Sequence, residues 1–187
     1  MKEIFLIAAF LGITLTTQAQ VSNADVSATA QQAVQLGLTN ALEISYTSNE
    51  STTGGTITFP FTSANDYANG VTSGDQEMKI KSNRTFNVSV KAAANTFTYS
   101  GTTSPAPVMY VYSTLSCMIT ANTTGGNIPA PFSANSYYGI GATAQNIIAN
   151  ATAGGDKRFS CKFRANPGFA FPAGTYTVDV IFTATQQ

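Results

Sequence analysis

Few side chains in this sequence could do chemistry, and one missing residue type decides most of the question. Histidine is absent, which removes the commonest general base and metal ligand. Ser-His-Asp and Cys-His catalysis and His-ligated metal sites go with it. The acids Asp66, Asp75, Glu77 and Asp156 are scattered along the chain. Glycoside hydrolysis needs two such acids facing each other across a cleft, and isolated acids are read first as solvated surface. No Asp-x-Asp-x-Asp-Gly spacing of a calcium loop is present. Lys157, Arg158, Lys162 and Arg164 form the one basic cluster. On a strand Arg158, Lys162 and Arg164 share a face opposite Phe159, Cys161 and Phe163, a solvated face before it is an anion patch. Tyr110 and Tyr112, and the neighbours Tyr137 and Tyr138, could stack on sugar rings, although aromatics at alternate strand positions more often pack across strands. The expectation is a protein that is not an enzyme and carries no cofactor or metal.

Composition narrows the partners. Nine Lys+Arg balance nine Asp+Glu, and charged residues make up 10% of the chain. So few cations offer nucleic acid little counterion release. Near-neutrality is compatible with self-association. Asn-x-Ser/Thr sequons stand at Asn49, Asn83, Asn87, Asn122 and Asn150, as expected by chance in a chain rich in these residues.

The two cysteines depend on the compartment. Lys2 precedes an apolar run, Ile4 to Leu15, and Thr17-Gln18-Ala19 puts small residues where a signal peptidase reads. The sequence thus predicts a signal peptide over 1–19, a mature chain from Gln20, and export through a periplasm to the cell surface or beyond. No later stretch stays apolar for the roughly 20 residues of a membrane span. In an oxidising compartment Cys117 and Cys161 read as one disulfide, closing a loop credited with about 4 kcal/mol. Two unpaired structural thiols are the alternative, since nothing nearby in sequence activates either.

The elements that must position these residues read as strands. Tyr176, Val178, Val180, Phe182 and Ala184 alternate with neighbours that are polar except Ile181, and Phe86, Val88, Val90 and Ala92 alternate with polar neighbours throughout. Met78 and Ile80 precede the second set across Ser82-Asn83-Arg84, a hairpin connection. Thr56–Phe61, Thr96–Ser100, Val108–Tyr112, Leu115–Ala121 and Arg158–Arg164 are further strands, with Gly-Gly pairs at 54–55, 125–126 and 154–155 marking loops. Ile140–Ala153 is ambiguous and could be a loop carrying a short helix. From Val26 to Tyr46 one alternating phase persists for 21 residues, against about five or six in an ordinary strand. It reads as two strands, or as one strand preceded by an extended arm. One all-β domain over 20–187, a sandwich, accounts for the whole pattern.

Taken together, this layout resembles a known family. An alternating segment ends in Thr39-Asn40-Ala41-Leu42-Glu43-Ile44, and a Pro-Ala-Gly-Thr-Tyr turn introduces the last strand. With the signal peptide and the cysteine pair, they resemble the pilin-like β-sandwich proteins, including chaperone–usher pilins of the spore coat protein U type. The stretch Lys81–Ala92 and the ending from Ala165 are similar to small exported proteins of Gram-negative bacteria. The resemblance implies an immunoglobulin-like antiparallel sandwich and a structural role as a fibre or fimbria subunit. Its partners would be identical or homologous subunits, with a periplasmic chaperone and an outer-membrane usher. The donor strand would be an N-terminal arm within 20–34, pointing Val26, Ala28, Ala30 and Val34 into a neighbour. Alternatively the arm is the first strand of its own sandwich. A monomeric module that binds glycan or cell surface through Tyr110, Tyr112, Tyr137 and Tyr138 is the second functional reading.

Overall fold

The structure, a computed structural model, describes residues 28–187. The chain divides into two units, Met1–Gly37 and Leu38–Gln187. The expected signal peptide and Val26 lie outside the described residues. In the first unit, residues 28–37 carry no secondary structure and are exposed throughout.

The second unit holds every described strand. In chain order these are β1 (Leu42–Tyr46), β2 (Val71–Thr72), β3 (Gln76–Ser82), β4 (Phe86–Ala92) and β5 (Thr98–Ser100). They continue with β6 (Leu115–Asn122), β7 (Tyr138–Gly139), β8 (Gln145–Ala151), β9 (Gly154–Ala165), β10 (Thr175–Thr177) and β11 (Val180–Gln186). Two short helices intervene, α1 (Ala64–Asn69) and α2 (Val111–Thr114). All pairings between strands are antiparallel, which makes the protein all-β. One sheet runs β1-β3-β9-β6-β7 with β2 beside β9; a second runs β11-β4-β8; β10 and β5 form a two-stranded ribbon.

The two larger sheets share one core, a sandwich-like arrangement. Met78 and Ile80 of β3, Cys117 and Ile119 of β6, and Phe159 and Cys161 of β9 come from one side. Phe86, Val88 and Val90 of β4 with Ile148 of β8 come from the other. Rings bridge the layers: the Phe182 centroid lies 6.0 Å from that of Phe159 and 6.3 Å from that of Phe163. Alternation explains the burial, since successive strand residues point to opposite faces and β4 buries every second side chain. The outer face of the first sheet carries charges of both signs in ion pairs, most of them between neighbouring segments. Lys81 lies 3.2 Å from Glu43, Arg158 2.7 Å from Asp156 and 3.1 Å from Glu77, and Lys162 3.5 Å from Asp75.

Three expectations are corrected. β3 and β4 are both present but do not pair as a hairpin. The Ser82 side chain bonds Arg84 in a local turn, and the chain there passes from one sheet to the other, so that both strands point apolar side chains into the shared core. The long final strand is two: β10 pairs with β5 and β11 with β4, the chain changing sheets at Val178-Asp179. Val108–Tyr112 is no strand; Tyr110 makes a single bridge to Thr96 and the chain then turns into α2. Of Val26–Tyr46, only Leu42–Tyr46 forms a strand among the described residues. The ambiguous stretch Ile140–Ala153 contains β8, whose register against β4 slips at Ile147 and again near Asn150. Asn150 takes a φ of 55°, and the bulge buries the consecutive residues Ile147 and Ile148 together.

Candidate functional site

The four tyrosines do not form one platform. The Tyr112 and Tyr138 hydroxyls are hydrogen-bonded at 3.2 Å, with their rings edge-on at 6.0 Å. That bond holds the Tyr112 hydroxyl above its ordinary pKa. Phe132 packs against the Tyr138 ring at 5.3 Å. Tyr137, one residue earlier, lies under the Arg164 guanidinium, 4.7 Å from ring centroid to charge. Tyr110 stays largely exposed. The structure thus joins Tyr112 to Tyr138, and gives the rings of Tyr137 and Tyr138 partners within the protein.

Cys117 and Cys161 are buried as free thiols, which corrects the expected disulfide. Cys117 stands opposite Phe163 and Cys161 opposite Ile119, so the cysteines are diagonal neighbours on β6 and β9 whose side chains touch. The contact with Cys117, and then burial, holds the Cys161 thiol well above the ordinary thiol pKa. That is the opposite of an activated nucleophile.

The acids have structural partners. Asp75, Glu77 and Asp156 belong to the ion pairs on the outer face of the first sheet, and the hydrogen bond from Arg158 lowers the pKa of Asp156. Asp66 caps α1. Of the basic cluster, Arg158 and Lys162 belong to these pairs, Lys157 donates to Thr152 Oγ1 at 2.8 Å, and Arg164 lies over the Tyr137 ring. Among the described residues no three His, Cys, Asp or Glu side chains come together as metal ligands. No helix among them is long and apolar enough to cross a membrane. Three sequon asparagines donate through Nδ2 within the fold: Asn49 to Thr53 O, Asn83 to Thr39 O and Asn122 to Gly126 O.

Two features remain that local packing does not use up. The first lies before β1. Ala28, Ala30 and Val34 are exposed, and the larger apolar side chains fall further on. Val34, Leu36 and Leu38 are 78%, 80% and 87% exposed. Just before β1, Asn83 holds the chain at Thr39 and Ala41, its Oδ1 accepting from Ala41 N at 2.9 Å and its Nδ2 donating to Thr39 O at 2.8 Å. The second feature is a cleft of about 470 Å³ lined by Ile57, Phe59, Phe61, Phe97, Phe171 and Tyr176 together with threonines, and by no charged side chain.

No protein-family model and no curated protein sequence matches the chain. Among solved structures, a family 123 glycoside hydrolase from Clostridium perfringens is similar at a TM-score of 0.35 and 12% identity. The match covers 78% of this chain and 25% of that one. The chain spans about a quarter of that hydrolase, and so slight a likeness carries no argument about fold or function.

The cleft is the feature that sequence reasoning missed. Its signal was present in the alternation of Ile57, Phe59 and Phe61, which reads as an ordinary strand. What the sequence did not carry is that this stretch joins no sheet.

Proposed function

We propose that the protein is an exported structural subunit that assembles with copies of itself, the stretch before β1 adding as a strand to a neighbour. The observation that supports this reading is the exposure of Val34, Leu36 and Leu38. Three large apolar side chains at alternate positions would line one face of a strand, and they stand exposed. Exposing them costs free energy in water, at about 25 cal/mol per Å² of apolar surface left uncovered. Strand addition would cover that face and pair the backbone in one step. The donor is thereby placed later than the sequence suggested, centred on Val34–Leu38 rather than on the alanines before it. A head-to-tail contact of this kind does not close on itself and so builds a filament. The immunoglobulin-like variety of sandwich belongs to the same proposal, supported by two antiparallel sheets around one core.

The experiment is gel electrophoresis of protein recovered from its native cells, in SDS with and without boiling. A ladder of oligomers that collapses to monomer on boiling is the expected result, because strand-exchanged polymers separate slowly. A monomer band in both lanes would overturn the proposal.

A further inference from the structure

The cleft combines aromatic rings with unpaired backbone. One wall is Thr56–Phe61, with Ile57, Phe59 and Phe61 packed against the core and Thr56 and Thr58 exposed. Residues 55–61 make no backbone–backbone hydrogen bond and no bridge among the described residues. The other wall is β10, whose three residues line the cleft consecutively and pair with β5 on one side only. Threonine hydroxyls stand on both walls, Thr56 and Thr58 on one, Thr175 and Thr177 on the other. Rings run beside them. Phe61 lies 5.3 Å from Tyr67, and Tyr67 stacks on Phe169 at 5.7 Å and 25°. Phe61 and Tyr67 line the cleft while Phe169 is 69% exposed, so this row of rings leads from the cleft into water. On the side of β10, Phe171 lies 6.2 Å from Tyr176.

This lining selects a ligand by elimination. No charged side chain faces the cleft, so an ionic ligand would bury its charge without a partner. A hydrocarbon chain would suit the rings but would cover the free N–H, C=O and hydroxyl groups, each losing its hydrogen bond to water. A neutral sugar ring meets both demands, with C–H groups on its faces for aromatic contact and hydroxyls round its edge for hydrogen bonding. The volume of about 470 Å³ lies within the ordinary range of ligand sites, roughly 300–1,000 Å³. We propose that the cleft between Thr56–Phe61 and β10 binds a neutral oligosaccharide, one sugar ring held among Phe59, Phe97 and Tyr176 and a further one lying on Phe169. None of Tyr110, Tyr112, Tyr137 and Tyr138 lines this cleft, so the sugar site is a different one from that suggested by those tyrosines. It stands whether or not copies of the chain assemble.

The test is saturation-transfer NMR, with calorimetry for affinity, on the full chain and the neutral hexasaccharides cellohexaose, laminarihexaose, maltohexaose and N-acetylated chitohexaose. Saturation should pass from the protein to the C–H protons of at least one of them, and the binding should saturate. Phe169→Ala changes an exposed ring and leaves the core intact. It should weaken that binding about fivefold, the usual worth of one aromatic contact. Tyr176→Ala should remove the binding, and Tyr112→Ala should leave it unchanged. No transfer to any of the hexasaccharides would overturn the proposal. So would binding that Tyr112→Ala abolishes and Phe169→Ala does not touch, which would return the sugar to the tyrosine pair. Tighter binding of 1-decanol than of every sugar would assign the cleft to hydrocarbon and overturn the proposal as well.

Discussion

Two stretches of this chain carry the same signal and meet opposite fates. In β4, Phe86, Val88, Val90 and Ala92 alternate with polar residues and are 0–2% exposed. Before β1, Val34, Leu36 and Leu38 alternate in the same way and are almost wholly exposed. Period-two patterning specifies a face and says nothing about what covers it. β4 is covered because it pairs on both sides, with β11 and β8, and faces a second sheet. Thr56–Phe61 falls between the two cases, its inward side chains half-buried and its backbone without a ladder. The comparison separates two contributions that a regular strand always shows together: packing of one face, and pairing of two edges.

The largest expected effect breaks the covered member of the pair. Phe86→Ala should cost about 3–5 kcal/mol, the usual range for removing a buried ring and leaving a cavity, measured by urea unfolding. Replacing Val34, Leu36 and Leu38 together by Ser should move the same unfolding curve by less than about 0.5 kcal/mol, as for other exposed positions, while removing the oligomer ladder. A triple variant that unfolds as readily as Phe86→Ala would show that the arm completes its own domain, and the contrast drawn here would be wrong.

The same distinction marks what could be read before the fold was known. β4, β6 and β9 were legible because each keeps strict alternation and both neighbours. The two halves of the last strand were not separable, because Val178-Asp179 continues the pattern while the chain changes sheets. The hairpin at Ser82-Asn83-Arg84 was misread for a related reason: a tight turn tells that the chain reverses, not which sheet it enters. β8 was obscured by its bulges, which bury Ile147 and Ile148 side by side and erase the period. Of the candidate residues, the tyrosines were legible as aromatic and not as neighbours, since Tyr112 and Tyr138 meet only through the pairing of β6 with β7. The cleft depends on a missing hydrogen-bond ladder, which composition and periodicity do not encode.

A smaller effect sharpens the view of the core as a dry, fully packed layer. The Cys161 pKa is raised by its contact with Cys117 and by burial. A group whose folded pKa lies above its unfolded value contributes stability below the unfolded value, about 8.5 for a thiol, and loses it as pH rises toward the folded one. Stability should therefore fall above about pH 8.5, with a limiting slope of about 1.4 kcal/mol per pH unit for the one proton. Cys161→Ala should flatten that slope. Two alkyl groups should add per chain when the protein is unfolded without reductant, and none while it is folded. No addition on unfolding would mean a bridge between the two thiols.

The smallest effect concerns how one wall of the cleft is held. Ser63 Oγ accepts from Asp66 N at 3.3 Å, and Asp66 Oδ2 accepts from Ser63 N at 2.7 Å and Thr62 N at 2.9 Å, a reciprocal capping box at the start of α1. Phe61, the last apolar residue of the wall, lies 5.3 Å from the Tyr67 ring on that helix, so the cap and the wall are joined through one turn. The backbone N–H groups of Ser63 and Thr62 hold the Asp66 carboxyl below the usual carboxylate range. A lowered folded value contributes stability above the unfolded pKa, about 3.9, and loses it as pH falls through the folded one. An NMR titration should show Asp66 ionising below that unfolded value, and Asp66→Ala should speed amide exchange in α1 without moving global unfolding. Because the wall has no ladder of its own, the same substitution should also shift the ring resonances of Phe59 and Phe61. If only α1 responds, Thr56–Phe61 is held by its packed side chains and the cap plays no part in holding the wall.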